Sequence, residues 1–69
     1  FPFVGEVTAD VLNVRKHPTT SAANLVSYPY LKKGNLVLVE KYSSNKEWYF
    51  ILIANKYHGY VSTKYIKRR

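Results

Sequence analysis

The side chains that most often perform enzymatic chemistry are scarce in this 69-residue sequence. It contains two histidines, His17 and His58, a single aspartate, Asp10, and no cysteine. Nucleophilic catalysis by serine needs a base that a third group holds in place, and the sequence contains no recognisable nucleophile turn. A metal ion needs several converging ligands, and the spacing of these residues matches no known metal motif. The sequence therefore predicts a non-catalytic protein with no metal site and no cofactor.

Aromatic side chains that carry a polar atom are abundant instead. Seven tyrosines and one tryptophan bring more hydroxyl and indole N–H groups than a small core easily satisfies. Tyr and Trp favour surfaces that are apolar on one side and wet on the other. A formal net charge of +7 adds attraction for polyanions such as nucleic acid, anionic lipid or an anionic cell wall. The basic residues are scattered, except for Lys32, Lys33 and the tail 64–69, and this scatter disfavours a dedicated nucleic-acid groove.

The segment that must position these groups is the uncharged run 48–53, Trp-Tyr-Phe-Ile-Leu-Ile. Aromatic and β-branched residues in such a run predict a central strand. Alternation places Tyr49, Ile51 and Ile53 on one face and Trp48, Phe50 and Leu52 on the other. Both faces are apolar, whereas a small domain has one core. One face must therefore meet something other than the core.

The remaining elements are short strands separated by turn residues, which predicts a single all-β domain, either a small barrel or a sandwich. Strands are expected over 4–9, 11–15, 25–28, 36–42, 48–53 and 57–62, with one turn of 3₁₀ helix at 63–65. Residues 16–24 have loop composition, and so long a loop in a small domain is more often functional than idle. We expect the chain to be a module of a longer protein, with residues 1–6 as a flank. It contains no apolar run long enough to span a membrane.

Four blocks of the sequence stand out: VTADVLNVR at 7–15 followed by PTTS at 18–21, LKKG at 31–34, WYFI at 48–51, and GYVSTKYI at 59–66. Together they resemble bacterial SH3 (SH3b) domains. The blocks occur in the family's order and cover nearly the whole chain. His17 and Glu47 stand where family members usually have glycine. These departures fall at the rims of the expected groove, so they bear on the ligand more than on the fold.

The resemblance implies an SH3-like barrel of five to six short antiparallel strands. It also implies a binding role on behalf of a linked catalytic domain, often a cell-wall hydrolase. The implied ligand is peptidoglycan, bound through its stem peptide or cross-bridge. The implied location is outside the cytoplasm, in an exported protein of the cell wall, periplasm or extracellular space. The alternative is a protein–protein interaction module that binds a peptide or a neighbouring domain. Nucleic-acid binding is a third, less favoured hypothesis that rests on charge and stacking aromatics.

In this family pattern Trp48 and Tyr65 line one groove, and the loop 16–24 forms its opposite wall. Asn13 and Arg15 project from the strand that leads into that loop. They can supply amide hydrogen bonds and a carboxylate clamp. The candidate ligand-binding residues are Asn13, Arg15, His17, Tyr30, Trp48 and Tyr65. Arg15 can equally serve as a structural pin across the loop. For Trp48 the family pattern favours the groove role over that of a core residue.

A second candidate surface consists of Leu36, Leu38, Phe50 and Leu52, where the family usually has Lys or Thr. Adjacent antiparallel strands would make these side chains neighbours on the outside of the sheet. An exposed patch of this kind is an association site or a liability. We expect it to be covered by the segment Phe1-Pro2-Phe3, by a neighbouring domain or by a second copy of the chain.

Overall fold

Seven short strands and one turn of 3₁₀ helix make up the regular structure of the computed structural model, which describes residues 1–43 and 45–69. The strands are β1 (Phe3–Val7), β2 (Val11–Asn13), β3 (Tyr30–Lys32), β4 (Leu36–Tyr42), β5 (Trp48–Ile53), β6 (Tyr57–Ser62) and β7 (Ile66–Arg68), and the 3₁₀ turn is Thr63–Tyr65. No α-helix occurs in these two ranges, so the predicted all-β class is confirmed. The described residues contain no helix with the length and hydropathy needed to cross a membrane.

The strands form two antiparallel sheets. The larger sheet has the order β6-β5-β4-β1-β7, and the smaller one pairs β2 with β3. Main-chain hydrogen bonds tie the two sheets together. Arg15 N donates to Tyr60 O at 2.8 Å, and Tyr60 N donates to Arg15 O at 2.9 Å. On the far side of the small sheet, Gly34 N donates to Val7 O at 2.8 Å.

The core lies between the sheets and follows the period of two that strands impose. Nine buried aliphatic side chains form one cluster: Val7, Leu12, Val14, Leu31, Val37, Val39, Ile51, Ile53 and Val61. Tyr49 is partly buried and packs against this cluster. The inner face expected for β5 is therefore confirmed. Each such side chain contributes roughly 1.5–3 kcal/mol when it leaves water.

The outer face of the large sheet carries most of the predicted apolar patch. Leu38 on β4 lies directly opposite Leu52 on β5 and Val4 on β1. Together with Leu36, which is 52% exposed, they line a shallow depression of about 240 Å³. Phe50 does not line it. The register shifts between Val39 and Lys41, and the Phe50 ring stacks on His58 at 4.9 Å instead.

The expected cover of this patch by the segment Phe1-Pro2-Phe3 is wrong. Phe3 shares its strand face with buried Gly5 and Val7, so its ring turns inward and lies 5.6 Å from the ring of Tyr49. The ring of Phe1 lies 4.9 Å from that of Tyr42. Burial raises the pKa of Tyr49, and the neighbouring Tyr42 raises it further. A neighbouring domain or a second copy as cover stays a prediction.

Gly59 lets β6 approach the chain that follows β2. A Cβ atom at this position would lie 2.5 Å from Val14 Cγ1 and 3.4 Å from the carbonyl oxygen of Arg15. The next residue, Tyr60, makes the paired main-chain bonds to Arg15. A side chain at position 59 would therefore force apart the junction between the two sheets.

We predict that Gly59→Ala lowers the free energy of unfolding by roughly 1–3 kcal/mol, since overpacking a tight contact costs this much. In a Val14→Ala background the colliding methyl group is gone, so the same change should cost clearly less. Urea unfolding of the four variants of this cycle measures the coupling. An equal cost in both backgrounds would contradict the assignment of the clash to Val14.

Candidate ligand-binding groove

A groove of about 650 Å³ opens where β2, the start of β5 and the 3₁₀ turn meet. Its lining is mixed in character, with two aromatic, three aliphatic, four uncharged polar and four charged residues. They are Trp48 and Tyr65; Ala9, Val11 and Leu12; Asn13, Thr20, Ser62 and Thr63; and Arg15, Lys46, Glu47 and Lys64. Pockets that pair apolar area with a few converging polar groups are the usual form of a ligand site.

Hydrogen bonds hold the 3₁₀ turn against the start of β5. The amide of Thr63 donates to the carbonyl oxygen of Glu47 at 3.0 Å, and the Thr63 hydroxyl donates to the same oxygen at 3.2 Å. Ser62 caps the turn by accepting a bond from Lys64 N at 3.3 Å. At the other end, Thr8 N donates to the carbonyl oxygen of Tyr65 at 3.0 Å. The groove wall that carries Tyr65 is thus fixed at both ends.

Trp48 forms an apolar part of the groove lining. It is 8% exposed and faces Ser62 across the β5–β6 ladder. Although buried, it lies outside the cluster of nine core residues and lines the groove. Trp48 is therefore buried and is also part of the groove lining.

Arg15 has the contacts of a structural pin. Its NH1 group donates to Ala22 O at 3.1 Å and to Asn24 Oδ1 at 3.3 Å. The Asn24 amide donates in turn to Asn13 Oδ1 at 3.3 Å and to Pro29 O at 3.2 Å. Arg15 also borders the groove, so it joins the loop 16–24 to the groove wall.

Four of the six predicted ligand-binding residues line this groove: Asn13, Arg15, Trp48 and Tyr65. His17 and Tyr30 do not line it. His17 is exposed in the loop, and Tyr30 is exposed on β3 opposite Asn13. The fold thus gathers two residues of the first block with one aromatic residue from each of the last two blocks.

The sequence hypotheses for the site missed several lining residues, among them Thr20, Lys46, Ser62, Thr63 and Lys64. Two of these could have been found from chain position. Lys64 immediately precedes Tyr65, and Lys46 lies two residues before Trp48 in the turn between β4 and β5. Thr20 carries no comparable signal, because its place in the lining depends on the path of the loop.

The groove has an excess of positive charge. Arg15, Lys46 and Lys64 line it with a single carboxylate, that of Glu47. Among the described residues, Arg69 pairs with Glu6 at 3.0 Å and His58 Nε2 lies 2.9 Å from Glu40 Oε1, and neither contact involves a groove residue. No group of three or more His, Cys, Asp or Glu that could hold a metal occurs within 1–43 and 45–69. The arrangement is suited to stacking, hydrogen bonding and attraction of an anion.

Comparison with protein-family models, curated proteins and solved structures finds no match for this chain. The likeness to bacterial SH3 domains therefore rests on the four sequence blocks. The role of the groove has to follow from the residues that line it.

We predict that Asn24→Ala lowers the free energy of unfolding by about 1–3 kcal/mol, because partly buried partners lose their hydrogen bonds. Asn24→Asp keeps an acceptor for Arg15 but loses both donated bonds and puts a carboxylate oxygen against Asn13 Oδ1 and Pro29 O, so it should also destabilise the fold. Urea unfolding measures both, with Ser27→Ala, at an exposed position, as the control. Stability of Asn24→Ala equal to that of the control would contradict the role of Asn24 as the hub of this network.

Proposed function

We propose that this chain is a non-catalytic binding module that attaches a linked protein, such as a cell-wall hydrolase, to bacterial peptidoglycan outside the cell. The observation that carries the proposal is the groove itself. Asn13, Arg15, Trp48 and Tyr65 were selected from the sequence as ligand-binding residues, and they line one cavity of about 650 Å³ although they come from distant parts of the chain.

The chemistry of the groove suits a peptide of the cell wall. Stem peptides and cross-bridges present backbone amides, carboxylates and small apolar side chains. Trp48 and Tyr65 offer aromatic surface to the apolar parts, while Asn13 and Thr20 bring groups that can hydrogen-bond amides. The excess of basic side chains favours a ligand with carboxylates.

An SH3-like barrel is the architecture we propose for the module. Two features support it: the antiparallel order β6-β5-β4-β1-β7, and the main-chain bonds that join the small sheet to β6 and to the end of β1. The 3₁₀ turn between β6 and β7 carries Tyr65, where the resemblance places a groove residue.

The alternative function is recognition of a peptide or neighbouring domain of a protein, and the same groove could serve it. The apolar depression formed by Val4, Leu36, Leu38 and Leu52 on the outer face favours this alternative, since exposed apolar patches mark association sites. The two functions differ in one direct observable, which is whether the purified chain binds isolated cell walls.

We predict that the chain co-sediments with purified peptidoglycan and that Tyr65→Ala weakens this binding about fivefold or more, a change of about 1 kcal/mol. The matched control is Tyr30→Ala. Both tyrosines are exposed, 44% for Tyr65 and 54% for Tyr30, but Tyr30 lies outside the groove lining. The control should therefore bind as the wild type does.

A salt series separates the remaining hypotheses. Wall binding through the groove should persist at moderate salt, whereas binding to a polyanion by counterion release falls steeply. No sedimentation of the wild type at low salt would show that wall binding is wrong and leave the protein-interaction alternative. Equal loss in both tyrosine variants would exclude the groove as the site.

A further inference from the structure

The three cationic side chains of the groove are not equivalent. Arg15 is partly buried, and its NH1 group is occupied by Ala22 O and Asn24 Oδ1. A guanidinium that leaves these partners for a ligand would release the loop 16–24 as well. Its hydrogen bonds therefore go first to the loop, and Arg15 acts as a positioning residue for the groove wall.

Lys46 and Lys64 are free to act differently. Both are exposed, and neither takes part in an ion pair within the described ranges. Lys46 precedes Glu47 and Lys64 follows Thr63, the two residues whose contact holds the turn to β5. A hydrogen bond fixes the main chain of each lysine: Lys46 N donates to Ser43 O at 3.1 Å, and Lys64 N donates to Ser62 Oγ at 3.3 Å. Among the described residues, the groove thus holds two ammonium groups that have no carboxylate partner, and both stand on an anchored backbone.

Lys46 lies in the turn between β4 and β5 with a φ angle of +62°, in the left-handed region that glycine or asparagine would adopt at lower cost. Ala54 and Asn55 have similar φ angles, +53° and +59°, in the turn between β5 and β6, so this conformation belongs to the turn. It sets the backbone from which the Lys46 side chain extends at the edge of the groove.

We infer that Lys46 and Lys64 bind a carboxylate of the ligand, and that the groove recognises a peptide with a free carboxylate close to small apolar residues. This inference rests on the proposed function and specifies the ligand's chemistry. The carboxylate of Glu47 does not neutralise the groove, because the lining keeps an excess of two positive charges when that carboxylate is counted. Trp48 and Tyr65 then contact the apolar part of the same peptide.

The test uses a matched pair of synthetic peptides, N-acetyl-Lys-D-Ala-D-Ala with a free carboxylate and the same peptide as its C-terminal amide. Titration followed by two-dimensional ¹H–¹⁵N NMR measures both dissociation constants, even when they are millimolar. The wild type should bind the acid about fivefold more tightly than the amide, as expected for a carboxylate shared by two exposed cations.

Two double variants with the same net charge separate local recognition from the general field of the protein. Lys46→Gln with Lys64→Gln should lose the preference for the acid. Lys32→Gln with Lys33→Gln should keep it, because both of these lysines are exposed but lie outside the groove lining. An equal loss in the two double variants would overturn the inference.

Failure of the inference is distinct from failure of the proposed function. If the wild type sediments with peptidoglycan but binds acid and amide equally, or binds neither, the carboxylate site is wrong and the wall-binding module stands. If the wild type does not bind peptidoglycan, the proposed function is wrong whatever the peptides show.

Discussion

The close crossing of β6 and the chain after β2 is the contact on which the rest of the molecule depends. At Gly59 the two backbones approach so closely that a Cβ atom would collide with Val14, and next to it Arg15 and Tyr60 exchange two main-chain hydrogen bonds. This junction joins the two-stranded sheet to the five-stranded one and lets Val14 and Val61 share one core. Without this junction, far fewer contacts would hold the small sheet against the large one.

The groove follows from that junction. The Arg15 side chain donates hydrogen bonds to Ala22 and Asn24. These bonds fix the loop 16–24 beside β2. The start of β5 supplies Trp48, and the turn after β6 supplies Tyr65. A small core thus fixes three segments at one edge, and buried Trp48 and exposed Tyr65 meet there in the lining of one cavity.

Several features could be predicted because they depend on local chemistry. Alternation in 48–53 identified the inner face of β5, and the composition of 63–65 indicated the 3₁₀ turn. The predicted strand over 25–28 is wrong, because the chain bends at Val26 and Ser27 and the strand forms at Tyr30–Lys32. The strand Ile66–Arg68 was missed, since its lysine and arginine carry no strand signal and its pairing with β1 is a long-range effect.

The candidate site also contains residues that local chemistry could identify and residues that depend on the fold. Asn13, Trp48 and Tyr65 could be selected from residue type and block position, whereas His17 and Tyr30 were assigned to a groove that they do not line. Their positions depend on where the loop turns and on how far β3 extends, and neither is encoded in local composition. The inward turn of Phe3 likewise depends on its phase with Gly5 and Val7, which only the pairing of β1 reveals.

The most direct test of the groove as the binding site is a map of amide and indole NMR shifts during titration with a muramidase digest of peptidoglycan. If the ligand binds in the groove, the largest changes fall on the Trp48 indole N–H and on the amides of Thr63, Lys64 and Tyr65. Changes confined to Leu36, Leu38 and Leu52 on the outer sheet face, or no changes at all, would contradict it.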